Sequence, residues 1–300
     1  MNTMDETINS AISKGIPIYC FVDSVPTFAK VTMHPNARAV TFVILNSKYE
    51  YQDQNRSYGY TGEAIKNMSR RFDAIDWLME DHMTQDIQTW LYLDVDITLN
   101  GDVTCIFNEQ LPANAISGVI EITDSFNDFI ASSPVHVAFL ERHLKSYQNE
   151  YRRREQYKPL NKYINSGVLI IQVPALKAET QDIVLDFRDY LTKYDYQLPD
   201  QDYINHRFDV GYLSRKWNFM SGHDSNLLTA TGQKRMTDKA LVDNVVFHWH
   251  GGCKPWIYPK KDSALYRQMP VELLIKAVNR DRMLFSEQFM NNMLNGVMND

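Results

Sequence analysis

The sequence predicts an α/β fold in which a mostly parallel sheet carries helices on both faces. Short apolar segments that suit buried strands alternate with longer segments whose apolar residues recur every three or four positions, the period of an amphipathic helix. Acidic residues and a histidine follow several of these strands, and in such sheets ligands bind at the carboxyl ends of the strands. With 300 residues, the chain is long enough to bury a large core.

The strands are predicted from short apolar runs. The first two runs are apolar on both faces, which is typical of buried parallel strands, and Pro174 ends the fifth. In chain order the predicted strands cover residues 16–22, 39–45, 89–93, 115–120, 167–173 and 245–248.

The helices are predicted from apolar residues that share one helical face. Ile65, Phe72 and Ile75 lie on such a face in the first helix. The basic run 152–154 closes the second helix, where positive charge is favourable against the helix dipole. The predicted helices cover residues 65–79, 137–151, 183–191 and 200–207, with a further helical pattern from residue 270 onward.

The composition is that of an ordinary soluble globular protein, with 23% charged and 44% hydrophobic residues. The net charge of −6 argues against nucleic-acid binding, which needs basic residues to neutralise phosphates. No apolar run approaches the roughly 20 residues that span a bilayer, so at most peripheral membrane contact is expected. Three widely spaced cysteines and a polar N-terminus predict a cytoplasmic protein in a reducing compartment.

Two carboxylates follow the strand at residues 89–93. In an extended backbone, residues i and i+2 point to the same face, so we expect Asp94 and Asp96 to project together. Two like charges held side by side repel, and a divalent cation such as Mg²⁺ or Mn²⁺ removes that conflict. The sequence therefore predicts a metal site here. A bare Asp-x-Asp is weak evidence alone, because a second one occurs at residues 200–202.

Four segments, in this order, resemble the retaining glycosyltransferases of family 8. The last segment fits that family's His-x-x-Gly-x-x-Lys-Pro-Trp signature at every fixed position. The resemblance implies a Rossmann-like GT-A domain, which we place at residues 1–262. A helical C-terminal extension would follow at 263–300, packed on that domain or at a subunit interface of a homo-oligomer. The four segments are LYLDVDITLNGDV (91–103), NSGVLIIQV (165–173), DQDYIN (200–205) and HWHGGCKPW (248–256).

The same resemblance implies a nucleotide-sugar donor, usually UDP-linked, and a Mn²⁺ ion on its diphosphate, with Mg²⁺ as an alternative. Asp94, Asp96 and His248 match the metal ligands, and His250 is the alternative to His248. Lys254 matches a phosphate-binding lysine, and a compact ammonium suits the charge that builds on the departing UDP. The glycines at 251 and 252 would let the backbone approach the phosphates.

Further residues match positions that contact the donor or the acceptor. Asp23 resembles the position that contacts the uracil, in a segment that departs from the family's usual sequence. Arg71, with Arg70 as the alternative, resembles an arginine that reaches the donor. Glu121 resembles a position on the acceptor side. The remaining donor-side residues are Val95, Asn165, Ser166, Asp200, Gln201 and Gly251.

Two of these residues have a simpler interpretation. Asn165 could belong to an ordinary turn before a strand, and Asp200 could be a helix cap. In the catalytic interpretation, Gln201 lies beside the anomeric carbon, and the acceptor attacks from the face that UDP leaves. Asp200 is the alternative residue beside that carbon, and it would act as a nucleophile.

The expected function is transfer of glucose, galactose or N-acetylglucosamine from a UDP-sugar to a glycan, lipid-linked sugar or protein-linked sugar. A sugar-1-phosphate nucleotidyltransferase is one alternative, but it would need a glycine-rich basic loop after the first strand, where Ser24 and Val25 stand. A non-catalytic glycan-binding module is another, although it would not need the whole metal and lysine set.

Overall fold

The computed structural model describes residues 3–31, 37–53, 60–80, 86–121, 162–194, 196, 198–220 and 245–249. The helices predicted at 137–151 and from 270 onward, the basic run 152–154 and the extension 263–300 lie outside these residues. The described strands are β1 (Tyr19–Val22), β2 (Thr41–Ile44), β3 (Thr89–Leu93), β4 (Ile97–Leu99), β5 (Ile116–Ile120), β6 (Ile164–Gln172), β7 (Gly211–Tyr212), β8 (Phe219–Met220) and β9 (Val246–His248).

The described helices include three that the sequence predicts, α3, α5 and α6, and three that it does not. Short 3₁₀ helices cover Ala37–Ala39, Val103–Asn108 and Arg215–Trp217. The α-helices are α1 (Thr3–Ser13), α2 (Val25–Val31), α3 (Gly62–Glu80), α4 (Val173–Glu179), α5 (Ile183–Lys193) and α6 (Pro199–Arg207).

The chain forms two compact units, each made of separate stretches of sequence. The first contains Met1–Ile44, Leu93–Gln110 and Ser214–Asp300, and the second contains Leu45–Tyr92 and Leu111–Leu213.

In the first unit, β1 and β2 pair in parallel. A three-stranded sheet has the order β4-β9-β8, with β9 antiparallel to β4 and parallel to β8. Trp249, which is fully buried, fastens two of these strands because its indole Nε1–H donates to Thr98 Oγ1 over 2.8 Å.

The expectation that β2 is buried on both faces is wrong. Thr41 is exposed and Ile44 is 40% exposed. Within the described part of the chain, β2 has only β1 as a neighbour, so its backbone lies at a sheet edge.

In the second unit, four strands have the order β3-β6-β5-β7, with β5 antiparallel to β6 and parallel to β7. All but the last residue of β6 is buried, which explains its long apolar run. Helices α3, α5 and α6 contribute Phe72, Phe187 and Tyr203, whose ring centroids lie 4.7 to 5.4 Å apart. These aromatic contacts hold the three helices in one core.

Candidate functional site

A turn, not an extended strand, brings the two acidic residues of the Asp-x-Asp together. β3 ends at Leu93, and Val95 and Asp96 form a turn before β4 begins at Ile97. Val95, at the tip of the turn, is 83% exposed, while Asp96 is buried. The geometry predicted from an extended backbone is therefore wrong, although the proximity of the carboxylates that it predicted is found.

His248 lies beside the two carboxylates because β4 pairs with β9. Ile97 is opposite His248 in the register, and the backbone N–H of Trp249 donates to the carbonyl oxygen of Asp96 over 2.9 Å. One ligand atom each from Asp94, Asp96 and His248 all lie within 4.8 Å of one another. We call these three residues the acidic–histidine cluster.

Asn218 orients the histidine of this cluster. It follows the 3₁₀ helix Arg215–Trp217 and is fully buried, and its Oδ1 lies 3.1 Å from His248 Nδ1. With that oxygen as the acceptor, Nδ1 carries the proton and Nε2 offers a lone pair. His248 Nε2 lies 3.4 Å from Asp96 Oδ1, so two acceptors face each other unless a proton or a cation lies between them.

The acidic–histidine cluster fits a divalent metal ion. Two carboxylates and an imidazole are ligands that suit Mn²⁺, and a buried amide that fixes the histidine tautomer is a common outer partner in metal sites. Sequence reasoning did not find Asn218, because a single asparagine between Trp217 and Phe219 carries no recognisable signal.

A second group of polar residues lies in the second unit and begins with Arg71 on α3. Its Nη2 is 2.8 Å from Asp200 Oδ2 and its Nη1 donates to the carbonyl oxygen of Ser166 over 2.7 Å, while the guanidinium lies over the ring of Tyr92. The side chains of Arg71 and Asp200 are 10% and 9% exposed, so this is a buried ion pair. The alternative, Arg70, instead makes an exposed hydrogen bond to Asn67.

Gln201, on α6, is the centre of this second group. Its Oε1 accepts from Asn165 Nδ2 over 3.0 Å and from the backbone N–H of Ser166 over 3.1 Å, and its Nε2 donates to Glu121 Oε2. We call Arg71, Glu121, Asn165, Ser166, Asp200 and Gln201 the glutamine cluster.

Two of the simpler interpretations of this cluster are wrong. Asn165 is the second residue of β6 and does not lie in a turn before the strand. Asp200 is not a helix cap either, because Leu198 is the cap residue of α6 and Asp200 lies in the first turn.

Gly118 lets the strand that carries Asn165 come close to β5. A Cβ at this position would lie 2.8 Å from Ile164 Cδ1 and 3.1 Å from the carbonyl oxygen of Asn165. The β5–β6 register also shifts between Gly118 and Ile120, where residues 165–168 of β6 form an irregular segment. Asn165 and Ser166 lie in this irregular segment.

The DQDYIN segment also fastens α6 to the start of β6. Asp202 accepts from the hydroxyl of Tyr163 and from the backbone N–H of Leu198. Asn205 accepts from the N–H of Ile164 over 2.8 Å and donates to the carbonyl oxygens of Ile164 and Gln201. The sequence did not predict these roles, because it does not show that the polar residues 200–202 and 205 of this short helix are buried. Once buried, these polar groups need hydrogen-bond partners.

Of the remaining predicted residues, Asp23 is described and the others lie outside the described residues. Asp23 follows β1, is exposed, and accepts from Thr27 Oγ1 over 2.9 Å. Residues 250–252 and Lys254, which include the alternative histidine and the predicted phosphate contacts, lie outside the described residues.

The fold is that of the GT-A glycosyltransferases. The sequence model of "Glycosyl transferase family 8" matches residues 78–259, so the chain belongs to that family. Comparison with curated protein sequences gives no match.

Several solved glycosyltransferases have a similar fold at low sequence identity. The galactosyltransferase LgtC, in complex with donor and acceptor sugar analogues, shares 18% identity at a TM-score of 0.56, over 97% of this chain and 94% of LgtC. The bifunctional glycosyltransferase WbbM in its apo form shares 15% identity at a TM-score of 0.52, over 91% of this chain. GlyE of Streptococcus pneumoniae TIGR4 shares 17% identity at a TM-score of 0.50, over 93% of this chain.

The chain spans only 44% of WbbM and 56% of GlyE, whereas it spans nearly all of LgtC. At these identities the comparisons with solved structures establish the fold alone. Among the described helices, none is long and apolar enough to cross a membrane.

Proposed function

We propose that this protein is a retaining glycosyltransferase that moves a hexose from a UDP-sugar to a sugar hydroxyl. The observation that carries the proposal is the acidic–histidine cluster, whose ligand atoms lie within 4.8 Å of one another in a member of a glycosyltransferase family. The hexose that we propose is glucose or galactose, with N-acetylglucosamine as a further candidate. The galactosyltransferase LgtC, with its similar fold, supports a hexose.

Asp94, Asp96 and His248 would hold the Mn²⁺ ion, or Mg²⁺ in its place. When bound, the ion supplies positive charge that stabilises the diphosphate as it leaves. Asn218 would keep the Nε2 lone pair of His248 available to the ion. Lys254 and the glycines before it would add donors for the same phosphates.

Five members of the glutamine cluster, Arg71, Asn165, Ser166, Asp200 and Gln201, would bind the donor sugar, whereas Glu121 matches a position on the acceptor side. Amide and carboxylate groups read sugar hydroxyls because each can accept or donate hydrogen bonds in pairs. Asp200 is held by Arg71 in a buried ion pair, and an ion pair of this kind makes its carboxylate a weaker nucleophile. We therefore favour attack of the acceptor hydroxyl on the face that UDP leaves, with no covalent sugar–protein intermediate.

The acceptor would be a glycan, a lipid-linked sugar or a sugar already on a protein. A cytoplasmic location remains a prediction from the pattern of cysteines in the sequence. Asp23 would contact the base of the nucleotide, and Val95 would lie on the donor side of the turn.

The test is release of UDP from a panel of UDP-sugars in the presence of Mn²⁺. We expect one UDP-hexose to be hydrolysed slowly without an acceptor. We expect Asp94→Ala, Asp96→Ala and His248→Ala each to reduce turnover by more than about a hundredfold, because a metal supplies several kcal/mol of transition-state stabilisation.

The control is Asp189→Ala, which removes an exposed carboxylate on α5. It should keep full activity. Full activity of any of the three cluster variants in EDTA would contradict the proposal. Synthesis of a UDP-sugar from UTP and a sugar phosphate would instead indicate a nucleotidyltransferase.

A further inference from the structure

The side chain of Gln201 has three hydrogen-bond partners among the described residues, Asn165, Ser166 and Glu121. It projects from α6, and its partners come from β6 and from the end of β5. Gln201 and Glu121 are each 3% exposed, so the hydrogen bond between them is shielded from bulk water. The inference below rests on the proposed function, since it concerns what Gln201 does for a bound sugar.

The chemistry of the partners fixes which end of the amide points where. The backbone N–H of Ser166 can only donate, so the atom that it faces must be the oxygen Oε1. Glu121, when ionised, can only accept, so the atom that it faces must be the nitrogen Nε2. A flipped amide would place donor against donor at Ser166 and acceptor against acceptor at Glu121.

The hydrogen-bonding capacity of this side chain is therefore divided unequally. An amide oxygen has two lone pairs, and Asn165 and Ser166 already use both. The nitrogen has two hydrogens, and one of them goes to Glu121. Among the described residues, the second N–H of Gln201 Nε2 has no hydrogen-bond acceptor.

We propose that Glu121 is a positioning residue that turns Gln201 into a hydrogen-bond donor for the transferred sugar. In this arrangement the oxygen of Gln201 has no lone pair to offer the anomeric carbon, so Gln201 is not a nucleophile. Glu121 acts through Gln201, and this role differs from the acceptor contact expected from the sequence.

Among the described residues, the charged side chains of Arg71, Asp200 and Asp202 already have partners. Arg71 and Asp200 form an ion pair, and Asp202 accepts from Tyr163 and from the backbone of Leu198. A carboxylate introduced at position 201 would therefore lie in direct contact with the like charge of Glu121.

The first experiment exchanges the two groups and measures stability against pH. Gln201→Glu sets a second carboxylate against Glu121, and one of two such carboxylates must take up a proton. We expect its melting temperature to fall further below wild type as the pH rises from about 5 to about 8. The double variant Glu121→Gln with Gln201→Glu restores one amide and one carboxylate, so it should recover most of the lost stability.

The control is Asp189→Asn, an acid-to-amide change at an exposed site in the same unit. It should follow the wild type at every pH. If Gln201→Glu has the pH dependence of the wild type, or if the exchanged variant recovers none of the lost stability, Glu121 does not face position 201 and the proposal is wrong.

The second experiment measures UDP release by the same variants. The exchanged variant keeps the hydrogen bond between the two positions but has no N–H at position 201. We expect its kcat to stay at least about tenfold below wild type, equivalent to about 1.4 kcal/mol of transition-state stabilisation, with the KM for the UDP-sugar much less affected. A wild-type kcat in the exchanged variant would overturn the donor role.

The two experiments separate this inference from the proposed function. If wild-type protein releases UDP from no donor in the panel, the proposed function fails, but the stability comparison still decides whether Glu121 positions Gln201. If UDP is released and the stability comparison fails, only the positioning role is lost.

Discussion

At the scale of single residues, buried polar partners orient the groups that would contact the ligand. Asn218 faces the ring nitrogen of His248 that points away from Asp96, and Glu121 faces the amide nitrogen of Gln201. In both cases a fully or almost fully buried partner decides which atom of the functional side chain carries hydrogen. The chemistry of the site therefore depends on residues that need not touch the substrate.

This dependence predicts the effect of removing Asn218. In Asn218→Ala, His248 loses the acceptor that keeps the proton on Nδ1, so the lone pair of Nε2 is no longer directed toward Asp96. We expect the Kd for Mn²⁺ to rise by about 10- to 100-fold, as for other outer partners of metal ligands. Titration of the protein with Mn²⁺, followed by calorimetry, measures it.

Asn218→Asp is the matched variant, because a carboxylate can accept the same hydrogen bond. It should bind Mn²⁺ more tightly than Asn218→Ala does. Equal affinities in wild type and Asn218→Ala would show that the orientation of His248 does not matter for metal binding.

At the scale of elements, a carboxylate fastens α1 to the 3₁₀ helix Val103–Asn108 in the first unit. Asp102 caps this 3₁₀ helix by accepting from the N–H of Thr104, and it also accepts from Ser10 and Lys14. Burial alone would raise the pKa of Asp102, but the hydrogen bonds from Ser10, Thr104 and Lys14 outweigh it and hold that pKa well below its usual range. Folding therefore favours the ionised form.

The sign of the pH dependence follows from that direction. Because the folded-state pKa lies below the unfolded value of about 3.9, Asp102 stabilises the fold above that pH, and this contribution is lost as the pH falls toward the folded-state pKa. We expect Asp102→Asn to lower the free energy of unfolding at pH 7, and the difference from wild type to shrink below about pH 4. Unfolding by guanidinium between pH 7 and about pH 2.5 measures this difference in the free energy of unfolding.

For comparison, Asp189→Asn removes a mostly exposed carboxylate whose ion-pair partner among the described residues is Lys193 on the same helix. It should change stability little at any of these pH values. A difference between Asp102→Asn and wild type that stays constant down to the lowest pH would contradict the account of Asp102.

At the scale of the whole molecule, elements with a clear period were predictable, whereas most of the described strands of two or three residues were not. The face of Ile65, Phe72 and Ile75 predicted α3, and the continuous apolar run predicted β6, although β6 begins at Ile164, three residues earlier than expected. Strands of two or three residues, such as β4 and β8, have no period to detect. Helix α2 was missed, although Ser24 accepts from the N–H of Thr27 at its start.

The candidate site was predictable to the extent that its residues occur in motifs. Asp94, Asp96 and His248 were named from the sequence and lie together, although a turn and not an extended strand joins the two acids. Asn218, Asp202 and Asn205 were not assigned roles, because their contacts join positions far apart in sequence or depend on how α6 meets β6. Pairing between distant residues is set by tertiary structure, which a single sequence does not display.

The central claim is that Asp94, Asp96 and His248 bind one divalent cation. The most direct test is a crystal grown with Mn²⁺ and UDP, with diffraction data collected at a wavelength where manganese scatters anomalously. The account predicts one anomalous peak within about 2.5 Å of a carboxylate oxygen of each aspartate and of His248 Nε2, the distance range of hard divalent cations. An anomalous peak at a different set of side chains, or no peak at these three, would contradict it.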